Sequence, residues 1–292
     1  VVGGLGSIPG AFCAAVLISV TKAIVVHVGQ IQIGPWIVNL SKLTLAAEFI
    51  IMALVLVIRP WGLLGKAPES TALPTETFQP IHAATPKQRM AYIALVGLLL
   101  AVPLLGSFWP YATILLTEIL IAVLLAASLH FLTGVAGMTS FGHAAWFGLG
   151  AYGAALLLKL AALPMEAALV LGPLVAATGA LIFGWFCVRL SGVYLAMLSL
   201  ACAQIIWAIT YQAEGLTGGS NGIIGLWPSP WLSSPLAYYY LSLALCIAGV
   251  WYLRRLSFSP LGLALRGTRD STLRAQAIGI PTQAVQWAGF VA

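Results

Sequence analysis

The sequence predicts an all-α membrane protein, a polytopic bundle of transmembrane helices with one broken, glycine-rich segment inside the membrane. Of its 292 residues, 61% are hydrophobic and only 7% are charged, whereas soluble domains are about 25% charged. Apolar runs near the length of about 20 residues that spans the hydrocarbon core recur along the chain. Positive residues gather in the short loops between these runs, as the positive-inside rule expects.

Two membrane spans are predicted in the first part of the chain. A glycine-rich start leads into an apolar run over about 11–28, and a short polar loop separates it from a second run over about 37–58. Arg59 and Lys66 follow the second run. Positive residues at the end of a span favour the cytoplasmic side, so we expect the second crossing to end inside the cell.

The composition changes over residues 67–89, which contain four prolines and several threonines but few large apolar side chains. Such a segment cannot bury enough apolar surface to form a core, so we predict a flexible cytoplasmic linker. The linker divides the chain into membrane units at 1–66 and 90–292. Because the chain starts at Val1 and ends at Ala292 within a new apolar run, we expect a fragment cut at both ends.

The unit after the linker is predicted to contain six further spans, each close to the length that crosses a bilayer. They lie at about 91–108, 111–131, 135–158, 167–188, 193–211 and 238–253, and another begins near residue 284. Counting crossings from a cytoplasmic linker brings Arg189, Arg254 and Arg255 to the inner side, in agreement with the positive-inside rule. The outer loop 214–235 is rich in Gly, Pro and Trp, and it either caps the surface or contacts the solute.

Residues 133–158 form an apolar segment that contains six glycines and a group of three polar side chains. Each glycine lowers helix stability by roughly 1 kcal/mol, so a single plain helix is not expected. Irregular backbone at membrane depth persists only where protein or a water-filled cavity satisfies its polar groups. We therefore predict a broken segment beside a pathway. The candidate residues of the translocation path are Gly137, Thr139, Ser140, Gly142 and His143.

Polar residues within the spans leave alternatives open. His143 either lines the path or is a buried histidine bonded to a neighbouring helix. Ionisable groups inside a membrane are costly and functional by default, so Glu118 either pairs with His130 or His143, or lies near the outer interface. Gln204 is expected to join two helices rather than to bind a ligand.

The second half of the glycine-rich segment carries small residues on one helix face. Ala144, Gly148, Ala151 and Ala155 recur at intervals of three or four residues. Small residues at this spacing let helix backbones approach closely in lipid, which predicts a tight helix–helix contact on this face.

The sequence contains no motif for catalysis. It has no Walker A sequence, no H-E-x-x-H and no nucleophile elbow, so we do not expect the chain to hydrolyse ATP or to be an enzyme, and we expect no metal or cofactor. The four cysteines lie in apolar spans, as small hydrophobic residues do. The net charge of +6 comes from loops between spans, so it does not indicate a nucleic-acid partner.

The inner loop 257–282 is the most polar part of the second unit. Residues 271–278 are predicted to form a short helix, with Asp270 or Ser271 capping its start and Gly279 ending it. A helix this short is marginal by itself in water, so it needs a partner surface.

The partner surface is predicted to meet an apolar face on this short helix. Leu273 and Ala277 share that face. If Arg269 lies on the solvated rim of the contact, we expect it to contribute little to the free energy of docking, because exposed ion pairs contribute about 0–1 kcal/mol.

Several stretches resemble the permease subunits of branched-chain amino-acid ABC importers. VVGGLGSIPGA and RPWGLLGK resemble the closing part of an H-type permease. The stretches that resemble an M-type permease are GVAGMTSFGHAAWFGLGAYGAALL, SGVYLAMLSLACAQI, LTGGSNGI and SPLGLALRGTRDSTLRAQAIGI. The resemblance covers nearly the whole chain outside the linker, and it implies an H–M fusion that lacks the front of H and the end of M.

The resemblance also implies partners and a mechanism. A permease of this family works in the bacterial plasma (inner) membrane with two ATPase subunits at its cytoplasmic face and a solute-binding protein outside. Loop 259–280 then corresponds to the coupling loop that docks on an ATPase. Its candidate residues are Gly262, Arg266, Arg269, Asp270, Leu273, Arg274, Ala277 and Gly279.

The solute does not follow from the resemblance. The family also includes urea and amide importers, so we expect the solute to be a branched-chain amino acid or a related small polar molecule. The protein, embedded in membrane lipid, is expected to carry this solute across by alternating access. The family loop is usually richer in acidic residues, whereas Ser271 and Thr272 follow Asp270 here. The alternative is an ion-coupled secondary transporter or a channel, a class that often carries ionisable groups at the midplane; such groups are few in this chain.

Overall fold

Most of the part of the chain that the computed structural model describes is helical, and that part is residues 1–33, 36–39, 44–65, 85–105, 110–161 and 163–292. In chain order the described helices and strands are α1 (Ile8–Val28), β1 (Gln30–Ile33), β2 (Trp36–Asn39), α2 (Thr44–Ile58), α3 (Pro86–Ala101), α4 (Pro110–His130), α5 (His143–Leu160), α6 (Met165–Cys187), α7 (Gly192–Gln212), α8 (Glu214–Thr217), α9 (Pro235–Ser257), α10 (Pro260–Asp270), α11 (Thr272–Ala277) and α12 (Thr282–Val291). The predicted all-α fold is confirmed, with one short hairpin added to it.

Five helices in the described residues are long and apolar enough to cross a membrane. They are Ile8–Val28, Tyr111–Val135, Met165–Cys187, Gly192–Gln212 and Pro235–Ser257. The spans predicted at 11–28, 111–131, 167–188, 193–211 and 238–253 each overlap one of them, and boundaries agree within about four residues. Apolar composition over about 20 residues therefore located these helices correctly.

The second predicted span, 37–58, is wrong at its start. Residues 36–39 form strand β2, which pairs antiparallel with β1 so that Gln30 lies opposite Asn39. Within the described residues, helix α2 covers Thr44–Ile58, which is 15 residues. The alternation Gln-Ile-Gln-Ile in β1 has the period of two that is typical of a strand, a signal that a search for apolar runs overlooks.

Helix α3 begins inside the predicted linker. The Thr85 side chain accepts from the backbone N–H of Gln88 at 3.4 Å, and the Gln88 side chain accepts from the Thr85 N–H at 3.0 Å. This reciprocal capping box starts the helix at Pro86, so residues 86–89 are its first turn. Residues 67–84 of the linker lie outside the described residues.

The first of two compact units consists of Val1–Glu69, Leu132–Trp227 and Pro260–Ala292. Within it α1 packs on α2, α2 on α7, α5 on α6, and α12 on α6 and α10. The turn before α1 is held against the residues after α2, because the Leu63 N–H donates to the Val2 carbonyl at 2.9 Å. The two stretches that resemble an H-type permease therefore contact each other.

The second unit consists of Ser70–Phe131 and Pro228–Ser259. Here α4 packs on α9, around a core cluster of Leu120, Tyr239, Leu243 and Cys246. The Tyr239 hydroxyl is fully buried and donates to the Leu99 carbonyl at 2.7 Å, which ties α9 to α3. These units divide the chain differently from the linker, and the division at 1–66, 67–89 and 90–292 stays a prediction.

Candidate functional site

The glycine-rich segment is broken, as its composition predicts. Helix α4 ends at His130, a π-helical turn covers Phe131–Val135, and α5 begins only at His143 with Gly142 at its N-cap. In the break Gly137 has φ +70°, and the Met138 N–H donates to the Leu132 carbonyl at 3.0 Å. π-Helical turns occur frequently at functional sites. A continuous helix over 135–158, as the span count assumed, is therefore absent from the structure.

Helix α7 supports the end of the break. The Ser199 hydroxyl, which is fully buried, accepts from the Phe141 N–H at 3.0 Å and donates to the Ala196 carbonyl at 2.8 Å. A Cβ atom at Gly142 would overlap the Ser199 carbonyl oxygen and lie 3.0 Å from the Ala203 Cβ. The irregular backbone thus has a protein partner for its polar groups, as backbone at membrane depth requires.

Arg269 of α10 brings the inner loop and the break together. Its Nη1 donates to the Gly134 carbonyl of the π-helical turn. Its aliphatic stem lies against Gly137, where a Cβ atom would be 2.9 Å from the Arg269 Cβ. Asp270 Oδ1 lies 3.0 Å from both Nε and Nη2 of the guanidinium. The Arg269 side chain is only 15% exposed, so the condition of a solvated rim does not hold for it in this structure.

A cavity of about 350 Å³ lies between α5 and α7. Its lining consists of Phe141, Gly142, Ala144, Ala145, Gly148, Tyr152, Leu200, Ala203, Gln204, Ile206, Trp207, Thr210, Tyr211 and Gly219. The lining is mostly apolar, and the side chains in it that carry polar groups are those of Tyr152, Gln204, Trp207, Thr210 and Tyr211. The Gln204 side chain forms no hydrogen bond to any residue that the structure describes, so its amide is available to a ligand.

The predicted path residues do not converge on one cavity. Gly142 lines the cavity between α5 and α7, whereas Gly137 lies under Arg269. Thr139 is exposed and donates to the Gly192 carbonyl at 3.2 Å. Ser140 is buried, and its hydroxyl has no partner among the described residues. His143 is half-buried at the first turn of α5.

Small residues of α5 have two different surroundings. Ala144 and Gly148 belong to the lining of the cavity, and nothing lies within 4 Å of a Cβ placed on Gly148. The contact with α6 uses Gly150 and Gly153 instead, since a Cβ on Gly153 would lie 2.8 Å from the Val175 Cβ. The predicted face of 144, 148, 151 and 155 is therefore not the one that packs tightly on α6.

The predicted short helix of the inner loop is confirmed as α11. Ser271 is its N-cap and accepts from the Arg274 N–H at 3.3 Å, which decides between the two predicted capping residues. Gly279 ends it with φ +84°, a conformation that glycine adopts without strain. The preceding helix α10 was not predicted. It holds the loop in place through Leu265, which is fully buried against Gly289 of α12.

The outer face of α11 is apolar and exposed. Leu273 and Ile278 are each 77% exposed, and Ala277 and Arg274 are exposed beside them. Ala275 on the opposite side is buried. The predicted pair Leu273 and Ala277 thus shares a free face, to which the structure adds Ile278. Gly262 is buried within α10, and Arg266 lies partly buried on the same helix.

Sequence reasoning missed an ion pair between two apolar helices. Lys22 Nζ of α1 lies 2.6 Å from Glu48 Oε2 of α2, with the side chains 39% and 36% exposed. A charged residue within each of two adjacent predicted spans was the available signal. Glu118 of α4, which sequence reasoning did single out, is exposed and forms no ion pair with a described residue.

Comparison with known proteins gives a consistent set of matches. The family described as "Branched-chain amino acid transport system / permease component" matches residues 111–292. Relatives include the "High-affinity branched-chain amino acid transport system permease protein LivM" of Escherichia coli (strain K12) and that of Salmonella typhimurium (strain LT2). Each is 25% identical over 253 residues, covering 77% of this chain and 59% of the relative. The chain therefore spans about 59% of the length of these relatives. No solved structure matches the chain.

Proposed function

The chain belongs to the family of permease components of branched-chain amino acid transport systems, and on that premise we propose that it is a transmembrane permease subunit of an ATP-binding-cassette importer. The solute is a branched-chain amino acid or a related small polar molecule, and the membrane is the bacterial plasma membrane. Five membrane-length apolar helices and two bacterial relatives support this proposal.

The exposed apolar face of α11 is the observation that carries the proposal. Leu273, Ala277 and Ile278 project an apolar surface from a loop that is otherwise basic. Apolar side chains in such a position are stabilised when a partner removes them from water. A cleft on an ATPase subunit fits this surface, and the chain has no nucleotide-binding motif of its own. Two ATPase subunits and an outer solute-binding protein complete the proposed importer.

The proposed mechanism is alternating access. Closure of the ATPase pair on ATP moves α10 and α11, and this movement changes the bundle between inward-open and outward-open states. Because α10 contacts the broken segment through Arg269, the movement has a direct route to the membrane part of the same compact unit.

The cavity between α5 and α7 is the proposed part of the solute path in this chain. Its apolar lining suits an aliphatic side chain, and the unpaired amide of Gln204 suits a polar group of the solute. Gly142 belongs to this lining, so the break shapes one wall. The other predicted path residues, Gly137, Thr139, Ser140 and His143, are proposed to move with the break rather than to bind solute here.

ATP turnover in vesicles tests the proposal. Leu273→Asp places a charge in the docking face, and burying it without a partner costs several kcal/mol. We expect solute-stimulated ATP hydrolysis to be lost while the permease is inserted at normal levels. Leu273→Met is the matched control, because it keeps an apolar side chain of similar volume and should retain stimulation.

Two outcomes would contradict the proposal. Full solute-stimulated turnover in the Leu273→Asp variant would remove α11 from the docking site. Uptake that follows an ion gradient, with no ATPase subunit co-purifying with the permease, would instead indicate the ion-coupled class of transporter.

A further inference from the structure

We propose that Arg269 is the positioning residue that transmits movement of α10 and α11 to the broken segment. The inference rests on the proposed function and adds to it the residue through which the loop acts. Arg269 belongs to the loop by sequence, yet its side chain bonds the Gly134 carbonyl and contacts Gly137 in the break. The side chain is 15% exposed, which is low for an arginine at a cytoplasmic surface.

The first contact is a hydrogen bond to a carbonyl that the break leaves without a regular helical partner. Gly134 lies in the π-helical turn, and its carbonyl accepts from the Arg269 Nη1. A hydrogen bond from a charged donor is about twice as strong as one between neutral groups. Movement of α10 away from the break would therefore pull on this turn.

The second contact is steric. Gly137 has φ +70°, and a Cβ atom there would lie 2.9 Å from the Arg269 Cβ and 3.0 Å from its Cδ. Neither the backbone conformation nor the space admits another residue without displacement of the arginine stem. Movement of α10 towards the break would therefore push on Gly137. One side chain thus transmits force in both directions.

Asp270 fixes the orientation of the guanidinium. Its Oδ1 accepts from Nε at 3.0 Å and lies 3.0 Å from Nη2, which leaves Nη1 directed at Gly134. The planar fork of arginine can make both contacts at once, whereas the ammonium of lysine is a single point charge. The geometry predicts that a lysine at position 269 keeps the charge and much of the stem but loses this fixed orientation.

A second route from the loop runs through α12. Leu265 of α10 packs against Gly289, and the Trp287 indole N–H donates to the Leu181 carbonyl of α6 at 3.0 Å. Trp287→Phe removes that hydrogen bond and keeps an aromatic ring. It is the matched control for Arg269 because it weakens the other route and leaves the break unchanged.

The experiment measures the coupling ratio, which is the solute transported per ATP hydrolysed by the complete importer in vesicles. The ratio does not depend on the amount of folded protein, so a purely structural defect would not change it. Arg269→Ala should lower the ratio, because ATP is then hydrolysed without the movement of the broken segment that accompanies solute transport. Arg269→Lys should lower it less, and Trp287→Phe should leave it near the wild-type value.

The outcomes separate this inference from the proposed function. A wild-type ratio in Arg269→Ala, with the ATPase still bound to the permease, would overturn the role of Arg269 and leave the importer proposal intact. Failure of the wild-type permease to bind an ATPase would overturn the importer proposal itself. If Arg269→Ala does not fold, Arg269→Lys decides the question, and an unchanged ratio in that variant overturns the inference.

Discussion

Ser199 of α7 lies so close to Gly142 that the N-terminus of α5 has no room for a side chain there. A Cβ atom at Gly142 would be 2.7 Å from the Ser199 carbonyl carbon. The same serine side chain bonds the Phe141 N–H, so α7 supports the break by both packing and hydrogen bonding. The position of α5 therefore depends on one glycine and one serine.

Gly142→Ala should destabilise the protein by about 1–3 kcal/mol, because overpacking forces the neighbouring helix to move. The measurement is the thermal midpoint of the purified permease in detergent. Gly148→Ala is the control, since nothing lies within 4 Å of a Cβ at Gly148 and the residue is in the same helix. Equal midpoints for the two variants would contradict the close packing at Gly142.

Gln204→Leu should raise the solute concentration for half-maximal uptake about tenfold, as expected when one hydrogen bond from the cavity wall is lost. The assay is uptake of radiolabelled solute at several concentrations. Gln212→Leu is the matched control on the same helix. Its buried amide nitrogen has no partner among the described residues and it does not line the cavity, so uptake should be unchanged. A larger effect at Gln212 than at Gln204 would argue against this cavity as the solute path.

The pair Lys22 and Glu48 should stabilise the contact between α1 and α2. Lys22→Met or Glu48→Met leaves one charge without its partner in an apolar helix, and we expect each to cost about 2–3 kcal/mol. The double variant should recover much of that loss, because both charges are then removed. The measurement is the free energy of unfolding of each variant. A loss in the double variant equal to the sum of the two single losses would show that the two side chains do not interact.

The predicted linker should be the first site of cleavage by an added protease. Limited proteolysis of inside-out vesicles is expected to cut within 67–84 and to leave two membrane-bound pieces, because the proline-rich composition of these residues predicts a segment that a protease can reach. Right-side-out vesicles serve as the control. Cleavage confined to 214–235 in inside-out vesicles would contradict both the linker and its cytoplasmic location.

Local patterns were sufficient where a single segment determines its own structure. The cap at Ser271 and the positive φ at Gly279 depend on a few neighbouring residues, and both agree with the prediction for α11. The pairing of β1 with β2 was equally local. Its signal, the alternation of polar and apolar residues in β1, was present in the sequence but was overlooked. The break between Val135 and His143 was predicted because six glycines in one apolar segment oppose a continuous helix.

Contacts between distant segments were beyond the reach of the sequence. The sequence by itself determined the class of protein, the positions of most spans, the break and the short capped helix, because composition and local spacing control these features. Only the tertiary structure decided that Arg269 reaches Gly134, that Gln204 faces a cavity and that Lys22 meets Glu48. These pairings depend on which helix faces pack together. That choice follows from the packing of all the helices in a unit, and the sequence of a single segment does not specify it.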